Sequence, residues 1–455
     1  MDPSSVSKPV RPALQVASDI AAENARPGSD GWQITRPAGR AQIEGYADRL
    51  SAIRGEDVRL FVRTASAARF TFEVWRMGWY GGAGGRRVLE PVETPSLPQP
   101  DPSLEEKHGT VRCAWNSAAM LRVEDDWPTG VYLVKLTALG FSSYIPLVVR
   151  DDSARGAIMF QTSVFTYAAY NDWGGRSAYG KKRSTKVSFD RPFVRTFGAG
   201  DFGMHEAAIL RFVERLGLPV IYVTDLDTHR APERLLDQRA LLIAGHDEYW
   251  TRSMRDGVEA GRDEGVHVAF LGANDAYWQV RLEDDDRTMV AFKERASKDD
   301  PMFFDAEGAA STTTRWRDTP VARPEHLLAG VEYRNGAWGF ETDWRARSEG
   351  HWLMEGTGLR DGDILAGLVG GEADRRADDT PSCVELIGDA EATTEMGRDV
   401  KSETTIYTAA SGALVFAWGS FDISAGLDAY AEPPRAMVRT SSAAQRIIGN
   451  LLQRF

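Results

Sequence analysis

Ala240-Leu241-Leu242-Ile243-Ala244-Gly245-His246-Asp247-Glu248-Tyr249-Trp250 is a short apolar run that ends in glycine and turns abruptly polar. An apolar run of this length, without polar alternation, reads as a buried strand of a parallel sheet. Downstream, Thr251 is placed to cap a helix to about Asp263, and Gly265 ends it. A second apolar strand, Val266 to Leu271, is followed by Gly272 and delivers Asn274 and Asp275. Upstream the same alternation holds. Ala157 to Thr162 and Val220 to Val223 are strands, and Pro232 to Gln238 is a short helix. Glu206 to Leu216 is an amphipathic helix with Ile209, Leu210, Phe212, Val213 and Leu216 on one side, stopped by Gly217. Strands and helices joined by short links predict a doubly wound α/β domain over residues 153–455. Further strands at Asp363 to Val369, Thr404 to Thr408 and Ala413 to Trp418, and a closing helix from Ser442 to Arg454, belong to it.

The preceding stretch, 39–152, has a different period. Val58, Leu60 and Val62 alternate on one face of Asp57 to Thr64, and Phe70, Phe72 and Val74 on one face of Arg69 to Arg76. Gln42 to Ala47, Val131 to Leu136 and Ser143 to Val149 complete a set of short strands separated by turn signals. This is the pattern of an all-β, immunoglobulin-like sandwich, with Tyr132 as a packing or corner tyrosine. Residues 1–38, rich in Pro, Ser, Gly and Asp, read as an extended arm tacked down at Trp32 and Ile34.

Composition narrows the function. The formal net charge of the 455 residues is −12, and no basic stripe is available to neutralise phosphates, so nucleic acid is excluded as a partner. Lys181-Lys182-Arg183 reads as a solvated loop. Two distant cysteines, Cys113 and Cys383, make neither a disulfide framework nor a thiolate metal site. With no apolar leader and no stretch of about 20 apolar residues, a membrane is not expected and the cytoplasm is the expected compartment. Gly-x-Ser-x-Gly, Gly-x-x-x-x-Gly-Lys-Ser/Thr and His-Glu-x-x-His segments do not occur.

Ligands of open α/β sheets bind beyond the carboxyl ends of the strands. Two polar tips lie there. His246 and Glu248, two residues apart, point the same way on an extended exit. They can share one metal, or one can ligate while the other moves protons. Asn274, from the second tip, can donate its amide to a developing oxyanion. The bland alternative is a structural histidine with Asp247 at a helix cap. The segment Thr166 to Ser177, with Tyr167, Tyr170, Asn171, Trp173 and two glycines, reads as a third loop at the same edge, with Trp173 a candidate substrate contact.

These motifs resemble the large (β) subunit of N,N-dimethylformamidase and the group sharing its C-terminal region. The resemblance covers roughly 30–455. It rests on Ile43-Glu44-Gly45-Tyr46-Ala47, Arg76-Met77-Gly78-Trp79-Tyr80-Gly81-Gly82, Ala169-Tyr170-Asn171-Asp172-Trp173-Gly174-Gly175, Gly245-His246-Asp247-Glu248-Tyr249-Trp250, Leu271-Gly272-Ala273-Asn274 and Gly356-Thr357-Gly358-Leu359. It implies an immunoglobulin-like sandwich joined to a glutamine-amidotransferase-like α/β domain. It implies hydrolysis of a small N-substituted amide at a mononuclear, ferric iron held by two tyrosines and a glutamate. Glu248, His246 and Asn274 match the site's glutamate, histidine and asparagine, and Tyr170 one of its tyrosines. Glu372 corresponds to a late acidic residue of the site. For the second tyrosine, Tyr167 and Tyr132 are the alternatives. Relatives often carry a tyrosine where this chain has Ala207, and His205 is a possible substitute. A homo-oligomer and a small accessory subunit are compatible partners. A non-catalytic ligand-binding protein and a non-hydrolytic iron enzyme are the alternative functions.

Overall fold

The computed structural model describes residues 13–16, 19–40, 42–334, 340–394, 397–430 and 440–455. The first twelve residues of the expected arm, and parts of the late loops, lie outside the described residues. Within the arm, Ile20–Asn24 is a short helix capped by Asp19, and Trp32 is buried.

The alternation at 57–77 does what its period dictates: Val58, Leu60, Val62, Phe70, Phe72 and Val74 all turn inward. Two sheets share that core. One orders Ile43–Ala47, Asp57–Thr64 and Ala119–Arg122. The other orders Ser51–Ile53, Phe141–Arg150, Gly130–Ala138, Arg69–Met77 and Gly85–Pro95. Tyr132 is fully buried, stacks on Trp127, and donates its hydroxyl to the Pro128 carbonyl at 2.6 Å.

The second half is organised by one nine-stranded sheet. Its parallel part runs in the spatial order Val220–Thr224, Ile158–Thr162, Ala240–Gly245, His267–Gly272, Leu414–Ala417. Its antiparallel part continues through Asp399–Thr408, Glu385–Thr393, Glu341–Ala346 and Ile364–Gly370. The chain goes from the Ile158 strand to one side and then crosses back to the other. The topological switch point therefore lies between the carboxyl ends of Ile158–Thr162 and Ala240–Gly245, where ligand crevices of such sheets form. Among the described residues no helix is long and apolar enough to cross a membrane.

Three local readings change. Residues from Val164 to Tyr170 form a helix, where the sequence reads as loop. Its first turn is satisfied from a distance, with Phe165 N donating to Asp225 Oδ2 at 2.7 Å, so no local cap marks it. The helix expected from Glu206 begins at Ala207, after a π-turn over Phe202–Glu206. Tyr249–Thr251 is a strand of a separate four-stranded sheet with Trp278–Glu283, Thr288–Val290 and Lys186–Ser188.

Candidate active site at the switch point

Two glycines let the strand ends come together. Gly245 adopts φ 77°, and a Cβ on Gly272 would lie 1.6 Å from the Gly245 carbonyl oxygen. The exit that follows is pinned by its neighbours. Asp247 N donates to Asp275 Oδ1 at 3.0 Å, Gln161 Nε2 to Asp247 Oδ2 at 2.6 Å, and Glu248 N to Thr166 Oγ1 at 3.0 Å. The helix Val164–Tyr170 thus sets Glu248 in place while presenting Tyr170 beside it.

Glu248 is buried and ringed by donors. The Tyr179 hydroxyl lies 2.7 and 2.8 Å from its two oxygens, and Trp278 Nε1 donates to Oε1 at 2.8 Å. The Tyr170 ring lies beside it, stacked on Tyr179 with centroids 4.2 Å apart. Behind Tyr179, Tyr249 donates its hydroxyl to the Tyr179 hydroxyl at 2.6 Å, and Lys293 Nζ donates to Tyr249 at 3.0 Å. Lys293, Tyr249 and Tyr179 form one directional chain of donors that ends on the Glu248 carboxyl oxygens. Burial outweighs the nearby Glu248 charge and brings the Lys293 ammonium down to about 8. Burial lifts the Glu248 carboxyl, against Lys293 and the donors Tyr179 and Trp278.

His246 is buried, with Nε2 3.5 Å from both Glu248 Oε2 and Glu372 Oε2. Burial, then the Arg195 charge, lowers it to about 3, so the imidazole is neutral near pH 7. The Phe421 ring packs between His246 and His205 at centroid distances of 4.7 and 4.8 Å. Asn274 sits in the left-handed region at φ 55°, a conformation held by its N–H donating to both oxygens of Asp374 at 2.9 Å. Its Nδ2 donates to Glu372 Oε2 at 2.8 Å, which leaves the second amide hydrogen for another acceptor. Burial, then the Glu248 charge, pushes Glu372 well up.

His246, Glu248, Asn274, Tyr170 and Glu372 are therefore brought together. Trp173 is not: its indole N–H donates to Glu44 Oε2 at 2.8 Å and its ring meets Trp115 edge-on. Neither anticipated second tyrosine reaches Glu248. Tyr167 faces Glu206, and Tyr132 belongs to the β sheets. The tyrosine that does reach it is Tyr179, which sequence reasoning passed over beside the basic run. Tyr249 lies inside the quoted motif, and Lys293 and Trp278 carried no local signal.

Among the described residues no group of three or more His, Cys, Asp or Glu is disposed to hold a metal ion. A cation here would depend on the phenol oxygens of Tyr170 and Tyr179 together with Glu248. Such an all-oxygen set fits a hard ion such as ferric iron.

No curated protein matches the chain. A family model described as N,N-dimethylformamidase beta subunit-like, C-terminal, matches residues 71–436. The chain belongs to that N,N-dimethylformamidase beta subunit-like family.

Proposed function

We propose that this chain is an amide hydrolase acting on a small, N-substituted linear amide with a mononuclear iron. The observation that carries the reading is the convergence of Tyr170, Tyr179 and Glu248 at the switch point, beside a neutral His246. Tyr170, Tyr179 and Glu248 would hold the metal. When bound, it supplies Lewis-acid polarisation of the amide carbonyl and a more acidic water. The protein's own groups supply the rest. Neutral His246 accepts the proton from the attacking water at Nε2. The free amide hydrogen of Asn274 meets the oxyanion as it develops. Glu372, pushed towards its protonated form, faces the same imidazole and returns a proton to the departing amine. Phe421 screens His246 from bulk water.

The same reading takes residues 39–152 as an immunoglobulin-like sandwich, 153–455 as a glutamine-amidotransferase-like domain, and 1–38 as an arm. The Tyr132 hydrogen bond back to Pro128 is the corner expected of such a sandwich. The beta-subunit description of the family supports assembly with a second subunit.

The test is metal content, visible absorption and amide turnover for wild type and Glu248→Ala. Ferric-tyrosinate colour and turnover in wild type, both lost in Glu248→Ala, are expected. A colourless protein without turnover would make this a ligand-binding protein on the same fold. A coloured protein that hydrolyses no amide would make it a non-hydrolytic iron enzyme.

A further inference from the structure

Glu372 and Asp374 stand two residues apart on one short stretch, and both reach Asn274. Glu372 Oε2 accepts from the Asn274 side-chain amide at 2.8 Å. The two Asp374 oxygens accept from its backbone N–H, each at 2.9 Å. Side chains at i and i+2 of an extended segment point the same way, so one stretch presents both carboxylates to one residue. The stretch is itself fixed. Asp374 N donates to the Gly419 carbonyl at 2.9 Å, Asp374 pairs with Tyr333, and Ala373 is bridged to Ser420. Asp374 and Asn274 are both buried.

The backbone of Asn274 sets where its amide points, and at φ 55° that backbone lies in a region an L residue keeps only when something holds it. A return to negative φ would swing the amide away from Glu372 Oε2, which stands 2.8 Å from Asn274 Nδ2 and 3.5 Å from His246 Nε2. One carboxylate thus holds the amide and the other holds the backbone that carries it. We propose that Asp374 is a positioning residue of the site, keeping the Asn274 amide aimed at the oxygen of the scissile carbonyl. The proposal rests on the amide-hydrolase reading above. In this role Asp374 acts on turnover through Asn274 alone. Asp374→Asn keeps the volume but leaves one acceptor oxygen, and a new donor, where the N–H met two acceptors.

The experiment measures kcat and KM for the full chain as wild type, Asp374→Asn, Asn274→Gly and the double variant. Amine release is followed from N-methylformamide, N,N-dimethylformamide or N-methylacetamide, whichever wild type turns over fastest. Asp374→Asn should lower kcat by about 10- to 100-fold, with KM and metal content unchanged. Asn274→Gly should lower it by about 100-fold or more, because glycine takes the positive φ unaided but carries no amide. The double variant should lie within about twofold of Asn274→Gly, since no donor is left to position. A merely structural role would make the two losses multiply, because fewer folded molecules lower kcat in either background. Multiplying losses overturn the proposal, as does a folded Asp374→Asn with the kcat of wild type. If Asp374→Asn does not fold, Asp374→Ser takes its place in the same cycle. A wild type that turns over none of these amides overturns the hydrolase reading, and the proposal falls with it. An active wild type with multiplying losses overturns the proposal alone.

Discussion

The Tyr179 hydroxyl stands 2.7 Å from Glu248 Oε1 and 2.8 Å from Oε2, so one phenol spans both oxygens of a carboxylate 69 residues further along the chain. Removing that hydroxyl in Tyr179→Phe leaves the ring stack on Tyr170 intact but strips Glu248 of its nearest donor and Tyr249 of its acceptor. Amide turnover is expected to fall by about 100-fold or more, with metal content and the visible band reduced and the far-ultraviolet spectrum unchanged. Tyr167→Phe, whose hydroxyl faces Glu206, should leave the metal and its band in place. Metal analysis and absorption of the two purified variants make the comparison.

What could be read from the sequence was whatever a local pattern encodes. His246, Glu248 and Asn274 follow glycine-terminated apolar strands, so both their position and their common edge follow from period and topology. Tyr179 had no such frame. It sits inside a bend over residues 178–180, just before the run Lys181 to Arg183, in a loop closed by a bridge pairing Ser177 with Arg183. Lys293 is aimed by a left-handed backbone, φ 61°, fixed by its N–H donating to the Thr313 carbonyl. Trp173 misled for the converse reason. A tryptophan among glycines resembles a site residue until its partner, Glu44, arrives from 129 residues away.

The carboxyl of Glu206 carries a pH prediction. Burial, then the Asp247 charge, overrides the hydrogen bond from Ser163 N and pushes it up to about 8. The folded state thus holds a proton that the unfolded chain releases near an ordinary glutamate value. That contribution is complete below the unfolded value and is lost as pH rises through 8. Wild-type stability should decline by roughly a few kcal/mol between pH 5 and 9, and less steeply in Glu206→Gln. Asp247, pushed up to about 7, keeps part of the slope. Urea midpoints across that range give the measurement, and parallel slopes would refute the assignment.

The contact between Gly245 and Gly272 predicts an asymmetry between two alanine substitutions. The two glycines are paired in register, and the added Cβ of Gly272→Ala would lie 1.6 Å from a backbone oxygen that has nowhere to move. This variant should lose more than about 4 kcal/mol or fail to fold. Gly449, inside the helix Ser442–Arg454, has nothing within 4 Å of its added Cβ. Gly449→Ala should gain about 0.5–1 kcal/mol. Thermal melts of both variants decide.

Arg76 and Glu214 join the two halves of the chain, from the strand Arg69–Met77 to the helix Ala207–Arg215, with both side chains fully buried. Arg76 donates to both Glu214 oxygens, at 2.6 and 3.1 Å, to the Thr129 carbonyl, and to the Tyr80 hydroxyl at 2.9 Å. Tyr222 adds a donor to Glu214 Oε1 at 2.7 Å. A buried pair adds little net stability over apolar groups of equal volume, but breaking it strands a charge. Arg76→Met leaves the Glu214 carboxylate without its counter-ion and should destabilise by about 3–5 kcal/mol. Pairing it with Glu214→Leu removes the stranded charge and should recover most of that loss. Denaturant unfolding of the two single variants and the double variant forms a cycle. Additive losses in that cycle would mean that the pair acts as two independent side chains, not as one link between the β sheets and the α/β layer.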